Sequence, residues 1–280
     1  MTNNRRAVFL DHPSLDLGDL DLSELRDSFS ELQLFEQTTP QNVLERLQGA
    51  QVAISNKIAI NAETLAACPD LKLILVSATG TNNIDLQAAR AHGITVSNCQ
   101  GYGTPSVAQH TIMLLLNLAT RLKDYQRDVS AGKWQAAKQF CLLDHPIVEL
   151  EGKTLGLLGH GELGSAVARL AEAFGMRVIL GAIPGRPARA DRMPLDELLG
   201  RCDYVVCLAT ATPQSERLMN AAAFAAMRPS AYFINPSRGN LVDDAALLRW
   251  LHRRRPVLTD EQVDRLAAAA VVPTTWHNIP

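Results

Sequence analysis

The chain lacks any excess of charge of one sign, and this absence narrows the classes of protein to consider. Its 280 residues include 27 Lys and Arg and 29 Asp and Glu, which leaves a net charge of −2. Such a balance argues against a nucleic-acid-binding protein that relies on phosphate contacts, and the basic run at residues 253–255 is typical of a solvated helix end. Hydrophobic residues make up 47% of the chain, which indicates a folded protein rather than a disordered one.

Long hydrophobic runs and a cysteine framework are also missing. The longest apolar stretch, residues 111–119, is too short to cross a bilayer of about 30 Å, and the N-terminus has no recognisable signal peptide. The five cysteines are odd in number and form no C-x-x-C pair, so we expect free thiols rather than disulfides or a zinc site. We therefore predict a cytoplasmic protein with no metal site and with no membrane or nucleic-acid partner.

Two series of alternating strands and helices are present. Short apolar runs separated by segments of helical period predict five strands in the first hundred residues, as is typical of a parallel α/β domain. From residue 105 to 125, apolar residues recur every three or four positions and predict one long helix. A second series begins with a strand at 154–158. Since 280 residues exceed one ordinary core, we predict two domains, 1–102 and 103–280.

A glycine loop follows the predicted strand at 154–158 and opens a predicted helix. The G-x-G-x-x-G string consists of Gly159, His160, Gly161, Glu162, Leu163 and Gly164. In this context the first glycine permits a tight turn, the second lets the backbone approach a pyrophosphate, and the third lets the helix pack against the strand. The loop therefore predicts a dinucleotide cofactor bound at the helix N-terminus. A glycine-rich turn of an ordinary α/β unit is the alternative.

The strand after the glycine loop lacks the acidic residue that usually binds the ribose 2′-hydroxyl of NAD. Ala182 stands near its end, and Arg186 and Arg189 follow in the next loop. The missing carboxylate removes repulsion toward a 2′-phosphate, and an arginine is suited to bind one. We therefore expect NAD(P), with a slight preference for NADP. Solvated loop arginines are the alternative.

Several strings in order resemble the D-isomer-specific 2-hydroxyacid dehydrogenases. They comprise residues 76–85, 106–111, 152–156 with the glycine loop, and 235–243; residues 101–104 and 140–146 further resemble the bacterial glycerate dehydrogenases, or hydroxypyruvate reductases, of that family. The resemblance implies an α/β fold with two Rossmann-like domains. A flavodoxin-like substrate-binding domain comes first, and an NAD(P)-binding Rossmann domain follows. The active site is expected in the cleft between them, and a homodimer is expected.

The resemblance also implies hydride transfer between NAD(P)H and a small 2-oxo or 2-hydroxy acid, here hydroxypyruvate or glyoxylate. Backbone N–H groups at Thr79 and Gly80 are expected to hold the substrate carboxylate, because glycine allows close approach. Arg238 matches the catalytic arginine of the family, a fork of donors suited to a carboxylate or a developing alkoxide. Lys57 is expected to add positive charge, with a solvated lysine as the alternative.

Two further positions are expected beside the cofactor, and they carry one departure from the family. Thr212 and Asn235 lie in the strings that border the cofactor in the family. Residues 207–210 read Cys-Leu-Ala-Thr, where relatives usually carry His and Pro. Because this loop borders the cofactor in the family, the change leaves open whether the cofactor binds as tightly as in relatives.

The C-terminal part departs further from the family pattern and is expected to be truncated. The family uses a histidine as proton donor, oriented by an upstream carboxylate. Glu261 and His277 are the nearest candidates in this chain, at spacings that are shorter than in the family. The alternatives are that His277 is a terminal residue without a catalytic role, or that the chain ends before its proton donor. In either case the protein would be a catalytically impaired nucleotide-binding relative.

Overall fold

A computed structural model describes residues 5–254, and these residues divide into two units between Tyr102 and Gly103. Each unit contains one sheet in which every strand runs parallel to its neighbours. Glu261 and His277 lie outside the described residues. Within residues 5–254, no helix is long and apolar enough to cross a membrane.

The first unit is a five-stranded sheet with a helix between each pair of successive strands. Its elements are β1 (Arg6–Phe9), α1 (Ser23–Asp27), β2 (Glu31–Leu34), α2 (Val43–Leu47), β3 (Val52–Ser55), α3 (Ala62–Ala66), β4 (Leu73–Val76), α4 (Leu86–Ala91) and β5 (Thr95–Asn98). The strand order is β2-β1-β3-β4-β5. This is the flavodoxin-like order, in which the direction of the connections reverses between β1 and β3.

The central strands of this sheet are buried on both faces. Val8 of β1 and Ala53 of β3 belong to one apolar cluster, while Phe9 and Ile54 belong to another. Successive side chains of a strand point to opposite faces, so the alternation between clusters shows that both faces are covered. Because both faces of these central strands are buried, their sequences are short continuous apolar runs rather than alternations of apolar and polar residues.

The second unit begins with three helices and continues as a four-stranded sheet. Its elements are α5 (Thr104–Thr120), α6 (Leu122–Ser130), α7 (Lys133–Ala136), β6 (Thr154–Leu158), α8 (Glu162–Ala173), β7 (Arg177–Leu180), α9 (Leu195–Arg201), β8 (Tyr204–Cys207), α10 (Ala221–Ala226), β9 (Tyr232–Ile234) and α11 (Asp244–Arg254). The strand order is β7-β6-β8-β9, and one parallel bridge joins Gly181 to Met193 beyond β7. With this bridge as the third strand, the order is that of a Rossmann sheet. The predicted fold class is confirmed.

The prediction of one helix over residues 105–125 is wrong. The helix ends at Thr120, because Arg121 adopts a left-handed backbone conformation with φ of 55°, and a separate helix begins at Leu122. The Arg121 guanidinium binds the Asp124 carboxylate in the first turn of α6, with Nε 2.6 Å from Oδ2. This ion pair holds the corner between the two helices, and hydrophobic periodicity does not reveal such a corner.

The segment after α7 is fixed to α6 by a buried carboxylate. Asp128 is only 2% exposed, and its carboxylate lies 2.8 Å from both Lys133 Nζ and His145 Nε2. The hydrogen bond from Lys133 contributes most, followed by that from His145, and together they hold the pKa of Asp128 below its usual range. The Tyr125 hydroxyl donates to the His145 carbonyl at 2.6 Å. His145 is thus placed in a structural role, as an ordinary loop histidine would be.

Candidate active site

The glycine loop lies where the connections of the second sheet reverse, between β6 and β8. Gly159 has φ of +111°, and a Cβ placed on it would lie 2.5 Å from the carbonyl carbon and oxygen of Leu208. A Cβ on Gly164 would lie 2.2 Å from the Gly159 carbonyl oxygen. Both positions therefore require glycine, because the loop after β6 is in direct contact with the loop after β8 and with its own helix.

Gly161 differs from the other two glycines because it borders open space. A Cβ placed on it would meet no atom within 4 Å, and the residue is the N-cap of the 12-residue helix α8. The Ser165 N–H donates to the Gly161 carbonyl and starts the helix, so the N–H groups of the preceding turn have no intrahelical acceptor. A pyrophosphate fits this arrangement, since it needs close approach to the backbone and unpaired N–H donors. His160 is half-buried.

The first residue of α8 is bonded to the first residue of α5. The Thr104 hydroxyl donates to Glu162 Oε1 at 2.7 Å. Apolar side chains of α5, among them Ala108 and Ile112, belong to the same cluster as Ala166 of α8. The hydrogen bond therefore lies at the N-terminal end of a packed helix pair, beside the glycine loop. Thr104 lies in the family string 101–104, but no sequence pattern predicted this contact, because the partner is 58 positions away.

The two arginines after β7 have different surroundings. Arg189 binds Asp191 through two nitrogens, at 3.0 and 3.2 Å. Desolvation raises the pKa of Asp191, but the hydrogen bond and charge of Arg189, together with its own backbone hydrogen bond and the charge of Arg192, lower it overall. Arg186 is exposed and forms no ion pair within residues 5–254. Ala182, two residues beyond β7, is also exposed. Arg189 and Arg192 both pair with Asp191, so Arg186 is the arginine of this loop that no described carboxylate binds.

The loop that carries Arg238 is built around Asn235 and Ser237. The Asn235 amide donates to the Arg238 carbonyl at 2.9 Å and accepts from the Ser237 N–H at 3.2 Å. The Ser237 hydroxyl donates to the Cys207 carbonyl at 3.0 Å, which joins the loop after β9 to the end of β8. Burial raises the pKa of the Cys207 thiol to about 11, so at neutral pH it is a protonated apolar side chain.

Arg238 itself is exposed at the carboxyl edge of the second sheet. Its Nη1 donates to the Ser237 carbonyl at 3.2 Å, and within the described range it forms no ion pair. Thr212 holds its own loop, because its N–H and hydroxyl both bond the buried Ser215 hydroxyl, at 2.9 and 3.1 Å. The sequence analysis did not predict the structural roles of Ser237, which lies in the family string 235–243, and of Ser215. A serine three residues after Thr212 is a recognisable turn signal.

In the first unit, a buried carboxylate organises the loops where the connections reverse. Asp11, which follows β1 and is 5% exposed, accepts hydrogen bonds from the backbone N–H groups of Asn56 and Lys57 at 2.9 and 2.6 Å. The Lys57 side chain is exposed at the end of β3. Asp11 directly follows the apolar residues 7–10 in the sequence, and the sequence analysis did not predict this role.

Thr79 and Gly80 follow β4 at the same carboxyl edge of the first sheet. Thr79 is exposed and Gly80 half-buried, and the Thr79 carbonyl accepts a hydrogen bond from the Asn98 amide at 2.7 Å. The carboxyl ends of β3 and β4 are adjacent because these strands pair directly. Lys57 therefore lies at the same edge as Thr79 and Gly80. In the part of the chain that the structure describes, no group of His, Cys, Asp and Glu side chains is arranged to hold a metal ion.

Comparisons with known proteins agree with this architecture. Residues 112–257 match the D-isomer specific 2-hydroxyacid dehydrogenase NAD binding domain. A glycerate dehydrogenase of Methylorubrum extorquens is 39% identical over 248 residues, which cover 88% of this chain and 77% of the relative. A hydroxypyruvate reductase of Blautia hydrogenotrophica is 32% identical over 250 residues, covering 87% of this chain and 77% of the relative.

A solved structure is similar over nearly the whole chain. The D-lactate dehydrogenase from Aquifex aeolicus, complexed with NAD and lactic acid, matches with a TM-score of 0.78 and 27% identity, over 96% of this chain and 82% of that one. The family match spans more than half of the present chain, and the two relatives exceed 30% identity over most of it. The resemblance predicted from the motifs is confirmed: the chain belongs to the D-isomer specific 2-hydroxyacid dehydrogenases, a family of NAD(P)-dependent oxidoreductases.

Proposed function

We propose that this protein reduces hydroxypyruvate or glyoxylate with NAD(P)H, to D-glycerate or glycolate. The observation that carries the proposal is the position of Arg238 relative to the glycine loop. Ser237, its neighbour, is bonded to Cys207, and the next residue, Leu208, is in contact with Gly159. A fork of cationic donors is thereby held on the sheet edge that carries the glycine loop. The names of the two relatives, glycerate dehydrogenase and hydroxypyruvate reductase, support the substrate class.

The glycine loop and the loops beside it are assigned to the cofactor. Backbone groups at Gly159–Gly164 would hold the pyrophosphate, and the nicotinamide, when bound, supplies the hydride for C2 of the substrate. Thr212 and Asn235 keep the two neighbouring loops in shape. Arg186 would bind a 2′-phosphate, which gives NADP(H) a slight advantage over NAD(H).

The substrate is assigned to the remaining polar groups. Backbone N–H groups at Thr79 and Gly80 would bind the carboxylate, and Lys57 adds positive charge at the same edge. Arg238 would stabilise the negative charge that develops on the carbonyl oxygen as hydride arrives. For the proton that this oxygen then takes up, we assign His277 as donor and Glu261 as the group that orients it.

The domain roles, assembly and location complete the proposal. The first unit would bind the substrate and the second the cofactor. Exposed apolar side chains after α6, including Trp134 at 56%, Phe140 at 91% and Leu143 at 78%, support a homodimer. Sedimentation velocity measures that assembly directly. All five cysteines are free, which supports a reducing, cytoplasmic compartment.

The test is hydroxypyruvate-dependent loss of reduced-nicotinamide absorbance, measured with NADPH and NADH on the wild type, Arg238→Lys and His277→Ala. Arg238→Lys keeps the charge but loses the fork, so we expect kcat/KM to fall by about 100-fold or more. The matched control is Arg201→Lys, which changes an exposed arginine paired with Glu197 on α9 and leaves turnover unchanged.

The outcomes separate the proposal from its alternative. Turnover that disappears in His277→Ala supports the assigned proton donor, whereas full turnover in that variant assigns the donor elsewhere. A folded wild type that binds NADPH or NADH but turns over neither hydroxypyruvate nor glyoxylate would instead favour a nucleotide-binding relative without catalysis. Glyoxylate alone as substrate would narrow the class to two-carbon acids.

A further inference from the structure

Glu162 places a negative charge beside the backbone of residues 159–164, the proposed pyrophosphate site, which we call the phosphate cradle. It follows Gly161, the N-cap of α8, and is the first residue of that helix. A carboxylate is favourable at a helix N-terminus, because the N–H groups there carry partial positive charge. A pyrophosphate bound at the same N-terminus would use the same partial charge and would be repelled by the carboxylate. The binding of an anionic cofactor therefore depends on where this carboxylate is held.

The hydroxyl of Thr104 holds the Glu162 carboxylate in place through a hydrogen bond. Thr104 is the first residue of α5, and its Oγ1 donates to Glu162 Oε1 at 2.7 Å. Hydrogen bonds to a charged group are among the stronger ones in proteins. The bond directs one carboxylate oxygen toward α5, while the open space lies at Gly161, where an added Cβ would meet nothing within 4 Å.

We propose that Thr104 is a positioning residue that keeps the Glu162 carboxylate out of the phosphate cradle and thereby sets the affinity for the dinucleotide. This inference rests on the proposed cofactor site. Without the hydroxyl, the carboxylate is free to turn toward the helix N-terminus, where the N–H groups attract it. It then competes with the pyrophosphate both for these donors and through charge repulsion.

A purely structural role is the competing explanation. The same hydrogen bond lies at the end of the α5–α8 helix pair, whose apolar side chains share one cluster. If the bond only held the helices together, its removal would weaken binding whether or not residue 162 carries a charge, and the effect would not depend on salt. The two explanations therefore differ in a double-variant cycle and in ionic strength.

The experiment measures the Kd of NADPH and of NADH by fluorescence titration for the wild type, Thr104→Val, Thr104→Ser, Glu162→Gln and Thr104→Val/Glu162→Gln. At about 0.01 M salt, where charges act over about 30 Å, we expect Thr104→Val to weaken binding by about fivefold. Glu162→Gln should tighten it by about threefold, and Thr104→Ser should match the wild type. In the Glu162→Gln background, Thr104→Val should change the Kd by less than about twofold.

Two controls accompany the cycle. Glu172→Gln removes an exposed carboxylate from the C-terminal turn of the same helix and should leave the Kd unchanged. Raising the salt to about 0.5 M should reduce the effect of Thr104→Val to less than about twofold, because the repulsion is screened. Thermal unfolding of each variant verifies that the fold is retained.

Three results would overturn the inference. If Thr104→Val weakened nucleotide binding equally with Glu and with Gln at position 162, at both salt concentrations, the bond would have a purely structural role. A Thr104→Val variant that binds as the wild type does would show that the bond has no role in binding, while the proposed cofactor site would stand. A folded wild type that binds neither nucleotide would overturn the proposed function itself, and the inference with it.

Discussion

The two parallel sheets bring their loops together in opposite ways at the points where the connections reverse. In the first unit, the Asp11 carboxylate bridges the loops after β1 and β3 by accepting two backbone N–H groups, those of Asn56 and Lys57. In the second unit, the loop after β6 reaches the loop after β8 because Gly159 has no side chain and lies directly against Leu208. One contact is a buried charge, and the other is a backbone-to-backbone contact.

The difference shows what each edge is built to do. A carboxylate that accepts two N–H groups fills the space between its loops and fixes the backbone that carries Lys57. A contact made by glycine leaves the space beside it open, as at Gly161, and lets a ligand approach the backbone. The same topology thus supplies a fixed edge in one unit and an open cradle in the other.

The largest effect on stability should come from adding one methyl group to Gly159, at the carboxyl edge of the second sheet. Gly159→Ala forces a Cβ to within 2.5 Å of the Leu208 backbone at a φ of +111°. We expect a loss of about 3 kcal/mol in the free energy of unfolding, measured by urea denaturation. The matched variant Gly161→Ala, whose Cβ meets nothing, should unfold as the wild type does but bind NADPH at least about tenfold more weakly. Equal stability of both variants would contradict the role of the Gly159 contact.

At the first edge, loss of one acceptor should be nearly as costly. Asp11→Asn replaces one carboxylate oxygen by an amide donor, which then faces a backbone N–H and leaves it unpaired. We expect a loss of about 2 kcal/mol in the free energy of unfolding, together with faster amide exchange at Asn56 or Lys57. The control is Asp85→Asn, because Asp85 caps α4 through a single oxygen on the Ala88 N–H, which asparagine can replace. An Asp11→Asn variant as stable as this control would refute the bridge.

A smaller effect tests the arginine at the open edge. Arg186→Gln should weaken NADPH binding by about tenfold and leave NADH binding unchanged, because only the former carries a 2′-phosphate. Arg189→Gln should affect the two nucleotides equally, since Arg189 is paired with Asp191. The two Kd values from each titration give the comparison. Equal weakening of both nucleotides by Arg186→Gln would show that this arginine does not read the phosphate.

The smallest expected effect is the response of the Asp16 loop to low pH. Hydrogen bonds from the N–H groups of Leu20, Gly18 and Asp19, the first above all, hold the pKa of Asp16 below its usual range, and His12 adds to this. A lowered pKa in the folded state means that the stabilisation is present above about pH 4 and is lost as pH falls through the lower value. Amide protection of the Asp16 loop should therefore decrease below about pH 4 in the wild type.

The control for this prediction lies in the second unit. The loop of Thr212 is held by the neutral Ser215 hydroxyl, so its amide protection should not show the same loss at low pH. Asp16→Asn should remove the pH dependence of the first loop. A parallel loss in both loops would point to global acid unfolding rather than to Asp16.

Most of the strands could be predicted because their cause is local. Residues 52–55, 154–158 and 232–234 form the strands that short apolar runs between turn signals predict. The helix α10 was missed, although Asn220 before an alanine-rich segment is a sequence signal for it: the Asn220 amide oxygen accepts from the Ala223 N–H at 3.1 Å. The corner at Arg121 could not be predicted, because the helical periodicity continues across it.

The sequence by itself determined the α/β class, the glycine loop and the family, since each depends on residue type and short spacing. The tertiary structure decided which distant residues meet. Asp11 and Asn56 are 45 positions apart, and Thr104 and Glu162 are 58 apart. These pairs form because parallel pairing aligns the ends of β1 and β3, and because α5 packs on α8. A short pattern carries no information on such contacts, since their partners are set by the packing of whole elements.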